Sequence, residues 1–149
     1  MTKRDSGTRL IQIPQKDFHV RKPEVPASAP TASSSYSFIE EDRQGTLLIT
    51  IHGYFNDQAG RDLSELVNRS LRGDGKRFVF DFQHCSTINS MGVAELLEIT
   101  LRITEDFKGQ LVLSALKPFM ADLLTLAYVI PAAQVAPDIE SALERLVDG

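Results

Sequence analysis

From residue 36 onward, short apolar runs suited to strands alternate with segments whose apolar residues recur at helical spacing. This alternation constrains the fold strongly, because two parallel strands cannot be joined by a tight turn and need a crossover, usually a helix. Residues 36–40 read as an edge strand, and Arg43-Gln44-Gly45 as the turn of a hairpin. Residues 47–51 form a β-branched and leucine run ended by Gly53. Asn56 then suits a helix cap and Asp57 the first turn, ahead of Leu63, Leu66, Val67 and Leu71 at helical spacing. Gly73-Asp74-Gly75 stops that helix, and residues 77–82 make a compact strand. Asn89 or Ser90 opens a second helix with Val93, Leu96, Leu97 and Leu101 on one face, and Lys108-Gly109 ends it. A strand at 110–113 follows. Pro118 suits the start of a third helix carrying Phe119, Met120, Leu123 and Leu124. A short strand near Gln134 and Val135 precedes a last helix, opened by Pro137-Asp138 and carrying Ile139, Ala142, Leu143 and Leu146. The expected class is α/β: a mostly parallel central sheet with about four helices. In open sheets of this kind, function gathers at the carboxyl ends of the strands, which singles out the loops at 53–56 and 83–92.

The chain divides near residue 36. Every residue in 26–35 is Pro, Ala, Ser or Thr, a composition that cannot bury enough apolar surface to offset chain entropy. Residues 1–35 are therefore expected to be a flexible, disordered, basic tail, and residues 36–149 one folded domain. The tail carries six Lys/Arg against three Asp/Glu, whereas the domain carries 10 against 17. The simplest reading of the tail is a solubilising extension. Contact with an acidic partner, folding back onto the domain, or a short docking motif at Leu10, Ile11, Ile13 and Phe18 are the alternatives.

Charge and composition exclude several classes. A net charge of −4 gives no footprint for direct nucleic-acid binding. One cysteine, Cys85, rules out a disulfide within the chain and, with three histidines, a Cys-rich zinc module. A reducing, cytoplasmic location is expected. The most apolar run, 123–133, is about half the roughly 20 residues that cross a bilayer, and residues 1–10 lack the apolar core of a signal peptide. No membrane span, metal or cofactor is expected; Gly73-Asp74-Gly75 lacks the Lys-Ser/Thr of a phosphate-binding loop.

The segment 78–93 carries the functional argument. A buried strand ends near Asp81, a short connector follows, and Asn89-Ser90-Met91-Gly92 opens a helix. A hydroxyl at Ser90 sits beside the unpaired N–H groups of the helix start, a place that favours added negative charge and so a phosphoryl group. Gly92 removes side-chain bulk there and lets a partner approach the backbone.

This layout resembles the STAS domain, the family of bacterial anti-sigma factor antagonists. Members commonly show a strand ending in Asp, then an apolar residue, Asp-Ser, one residue and Gly opening a helix. Here these are Asp81 and Ile88-Asn89-Ser90-Met91-Gly92. The family's Gly-x-Leu-Asp turn has its counterpart in Gly53-Tyr54-Phe55-Asn56, and the resemblance runs on through Leu111-Val112-Leu113 and the helix from Pro118 to the closing Asp138-Ile139-Glu140-Ser141-Ala142-Leu143. It implies a non-enzymatic, cytoplasmic switch in transcription regulation. Its partners would be a serine-kinase anti-sigma factor of ATPase fold, which phosphorylates Ser90, and a phosphatase, which reverses that. The implied contact residues are Asn56, Asp81, Asn89, Ser90, Met91, Gly92 and Glu95. Three positions depart from the pattern: Asn56 and Asn89 stand where the family usually has Asp, and Ala127 stands where it often has Gly. The alternative is a STAS module that is not phosphorylated and acts as scaffold or accessory subunit in a stress-signalling or transport assembly.

An enzyme is the third reading. Ser90 and Gly92 look like half a nucleophile elbow, but all three histidines (19, 52 and 84) precede Ser90, against the order of the α/β-hydrolase triad. Cys85 beside His84 reads as a small buried thiol rather than a nucleophile. Glu95, Glu98, Arg102 and Glu105 read as a solvated helix face with a weak Glu98–Arg102 pair.

Overall fold

The computed structural model describes residues 9–11 and 35–147. Its elements run β1 (Arg9–Ile11), β2 (Tyr36–Arg43), β3 (Thr46–Phe55), α1 (Asp57–Arg72), β4 (Arg77–Asp81), β5 (Cys85–Ile88), α2 (Ser90–Leu101), β6 (Gln110–Ser114), α3 (Pro118–Leu126), β7 (Gln134–Ala136) and α4 (Ile139–Val147). The strands form one sheet in the order β1-β2-β3-β4-β6-β7, with β5 also paired to β3. β1, β2 and β3 are antiparallel to one another in turn, and every later pairing is parallel. The expected α/β domain, mainly parallel with four helices, is what forms.

Alternation along the strands sorts the core into two layers. Ile49, Ile51, Phe78, Phe80, Leu111 and Leu113 point into the larger core, where Leu63, Leu66 and Val67 of α1, Val93, Leu96 and Ile99 of α2, and Met120 and Leu124 of α3 meet them. Leu48, Val79 and Val112 point the other way, onto Ala142 and Leu146 of α4. Both faces of the sheet are thus covered, as a parallel sheet requires. Each fully buried Phe or Leu contributes on the order of 1.5–3 kcal/mol.

Four expectations are corrected. First, β2 is not an edge: Arg9 faces Glu40 and Ile11 faces Phe38, so β1 covers the outer side that would otherwise expose unpaired backbone groups. Leu10 and Ile11 are thus in strand register with Ile39 and Phe38, while Ile13, Phe18 and the rest of the expected tail at 1–8 and 12–34 lie outside the described residues. Second, Gly53 does not end β3. At φ 87° it carries a bulge, and the strand continues to Phe55. Third, the connector after Asp81 contains a strand, β5, too short and polar for alternation to reveal. Fourth, the buried row of α2 is Val93, Leu96, Ile99 and Thr100, followed by Ile103, whereas Leu101 faces solvent. The helix continues through a wider π turn at Arg102–Asp106. Arg102 leaves Glu98 and reaches Ser64 Oγ at 2.9 Å and Asn68 Oδ1 at 3.3 Å, tying α2 to α1.

Candidate functional site

The parallel pairing of β3 with β5 sets Phe55 in register with Ile88. The residues that follow, Asn56 and Asn89, therefore sit side by side at one end of the sheet, and each caps a helix. Asn56 Oδ1 accepts from the Ala59 N–H at 2.9 Å, and Asn89 Oδ1 accepts from the Gly92 N–H at 2.8 Å. Two helices thus begin next to each other with their positive ends at the same surface. α1 carries Asp57 in its first turn; α2 carries no acid there. Asn89, not Ser90, is the cap. Ser90 is the first helical residue and is exposed, and Met91 beside it is 55% exposed.

Gly92 has a different role from the one expected. It is buried, and a Cβ there would lie 2.3 Å from the Phe55 carbonyl oxygen. The close approach is internal: the first turn of α2 seats on the end of β3, where the Asn89 N–H also donates to the Phe55 carbonyl at 3.3 Å. The glycine fixes the height at which Ser90 and Met91 stand. Glu95 is half-buried, packed over Gly60 of α1, where a Cβ would come within 2.4 Å of the Glu95 Cβ.

Asp81 is corrected as a surface contact. It is 2% exposed and accepts from Ser114 Oγ at 2.9 Å, which joins the ends of β4 and β6 beneath the site. Phe119, Met120 and Tyr128, which the sequence leaves open between core, core edge and exposed contact, divide: Met120 is buried, and Phe119 and Tyr128 are exposed. Asn56, Asn89, Ser90, Met91, Gly92 and Glu95 are brought together at the α1–α2 entrance; Asp81 supports the floor from inside.

Two features escaped the sequence reading. Lys117 Nζ donates to the Cys85 carbonyl at 2.8 Å and fastens the β6–α3 loop to the start of β5. The strand-end rule applied to β6 as well as to β3 and β4 finds this loop. The rings of His52 and His84 stack with centroids 4.8 Å apart and planes within 5°, on the strand that leads to Asn56 and the loop that leads to β5. The Gly53 N–H donates to the His84 carbonyl at 3.0 Å, and His52 Nε2 is buried with no hydrogen-bond partner among the described residues. Burial, followed by the neighbouring His84, holds His52 below the usual histidine range, with Asp81 acting in the opposite sense.

Cys85 is fully buried, its Sγ 3.4 Å from the Thr87 carbonyl it donates to, and burial pushes its thiol up to about 11. A thiol held protonated and inside is no nucleophile at neutral pH.

A model of the STAS domain family matches residues 38–142. The anti-sigma factor antagonist SpoIIAA in its unphosphorylated form shares the fold at a TM-score of 0.60 and 19% identity, over 75% of this chain and 98% of that one. RsbS from Moorella thermoacetica aligns at 0.62 and 20% identity, over 73% and 93%. A sulfate transporter family protein from Wolinella succinogenes aligns at 0.61 and 21% identity, over 72% and 91%. No curated protein matches the chain in sequence.

Proposed function

We propose that this chain, which belongs to the STAS domain family, is an anti-sigma factor antagonist-like regulator of the cytoplasm switched by phosphorylation at Ser90. The observation that carries the reading is the exposed hydroxyl of Ser90 at the first position of α2, set by the Asn89 cap and the Gly92 contact beside a second helix start. A phosphoryl group there adds about −1.5 to −2 charge next to two positive helix ends, so the fold tolerates it. A partner docked over Met91, Asn56 and the Glu95 edge meets that charge directly. Unmodified chain binds a serine-kinase anti-sigma factor; transfer of phosphate to Ser90 ends the complex by repulsion; a phosphatase restores it. The switch acts at the surface and asks for no refolding.

The test is to incubate the chain with ATP and a serine-kinase anti-sigma factor and to map the product by mass spectrometry. Phosphate on Ser90 is expected. Phosphate only on another residue, or none, overturns the assignment.

One observation favours a second reading. Both caps are Asn, so the site lacks the two carboxylates that the family usually places there. A STAS module that binds a signalling or transport assembly without being phosphorylated fits that loss. It predicts a partner complex that survives Ser90→Asp, and recovery of transport components or other STAS proteins on co-purification. The antagonist reading predicts recovery of a small ATPase-fold kinase, kept in Ser90→Ala and lost in Ser90→Asp.

A further inference from the structure

The hairpin between β2 and β3 lies at the end of the sheet opposite Ser90. β3 runs ten residues from Thr46 to Phe55, so the two ends are roughly 30 Å apart. Arg43 pairs with Thr46 across the hairpin, and Thr46 pairs with Arg77 of β4. Residues paired in this way set their side chains on the same face. Leu48, two residues along from Thr46, joins the core with Leu146, so that face is the α4 side. The row and the second half of α4 border a cleft of about 240 Å³, lined by Arg43, Gln44, Thr46, Arg77, Leu143 and Leu146.

The polar groups of the lining are short of partners. Thr46 is only 4% exposed, yet its hydroxyl has no hydrogen-bond partner among the described residues. A buried hydroxyl is ordinarily bonded, and one that lines a cleft calls for a ligand atom. Arg77 is exposed and pairs with no acid among the described residues. Arg43 is held by Glu41 through its Nε, which leaves its terminal N–H groups to spare. Asp42, the other acid of the hairpin, accepts from the Gly45 N–H, and its register partner Leu47 packs on the larger core, so it stands on the far face.

We propose that this cleft binds a phosphate monoester with a short aliphatic body. Two guanidiniums flanking a hydroxyl converge on one head group, and a phosphate offers three terminal oxygens to three donors where a carboxylate offers two. Leu143 and Leu146 give the aliphatic part an apolar wall. At about 30 Å³ for each water-sized group, the volume suits a head group and a short chain and is too small for a nucleotide. The ligand ties the hairpin, β4 and α4 together and touches nothing at the Ser90 end, so the site does not depend on the switch reading.

Titration of the ¹⁵N-labelled full chain with butyl phosphate, followed by NMR, tests this. Saturable shifts confined to residues 43–46, 77 and 143–146 are expected, with a dissociation constant at or below about 1 mM. Inorganic phosphate, which lacks the body, and butanol, which lacks the head, bind at least about tenfold more weakly. Arg77→Gln weakens butyl phosphate by at least about tenfold. Thr46→Val weakens it severalfold and holds or raises the melting temperature, because the hydroxyl it removes bonds nothing within the domain. No saturation by roughly 10 mM overturns the proposal. So do shifts centred on Asn56 and Ser90, equal affinity for butanol, or equal affinity of wild type and Arg77→Gln.

Discussion

Gly92 tolerates the least change of any residue at the site. Its missing side chain is what lets α2 start on the Phe55 carbonyl, so Gly92→Ala forces the helix away from β3. A loss of about 1–3 kcal/mol is expected from such overpacking, read from urea unfolding, with Ser90 displaced as well. Asn89 behaves differently. Asn89→Ala removes the bond to the Gly92 N–H and costs about 1 kcal/mol, whereas Asn89→Asp keeps the bond, adds charge at a positive helix end and gains about 0.3–1 kcal/mol. His52 gives the domain a pH dependence. Its folded-state pKa lies below the ordinary 6.5, so its contribution is fully present above that value and is lost as pH falls through it toward the lower folded value. The stability lost between about pH 7.5 and 5.5 should shrink in His52→Gln, since the replacement does not titrate. At this scale the sequence was readable for type but not for direction. The Asn-Ser-x-Gly string marks a helix start from residue preferences alone. That Gly92 packs inward and Asp81 is buried under Ser114 follows from a strand pairing that spacing does not disclose.

The elements show where periodicity holds and where it slips. The strands of the sheet interior were legible because both faces are buried and the apolar runs are continuous. β5 was not, because Cys85-Ser86-Thr87-Ile88 offers no run. Its pairing comes from the bulge at Gly53, which carries β3 on far enough to meet it. In α2 the expected face included Leu101, but the row that packs is Leu96, Ile99, Thr100 and Ile103, with the wider turn at Arg102–Asp106 absorbing the drift. Leu96→Ala should therefore cost about 2–5 kcal/mol and Leu101→Ala no more than about 0.5 kcal/mol in chemical denaturation. Equal losses at the two positions contradict this helix phase. Phe119 and Tyr128 stay undecided between core and surface in the sequence for a related reason: apolar identity states what a residue gains by burial, not whether the fold supplies it.

Over the whole molecule, the sheet separates labour between its ends and faces. The carboxyl ends of β3 and β5 present Asn56, Asn89 and Ser90, α4 closes the far face, and the apolar side of α3 lies apart from both. A charge added at Ser90 is thus carried on a rigid frame. Ser90→Asp should leave unfolding free energy within about 0.5 kcal/mol of wild type or slightly above it, because an acid at the first turn complements the helix dipole. The most direct test of the switch compares the affinity of a serine-kinase anti-sigma factor for the unmodified chain and for the chain phosphorylated at Ser90. The account predicts tight binding of the first and weakening by at least roughly 100-fold in the second, the size of a like-charge conflict of a few kcal/mol at an interface. Equal affinity for the two forms would contradict it.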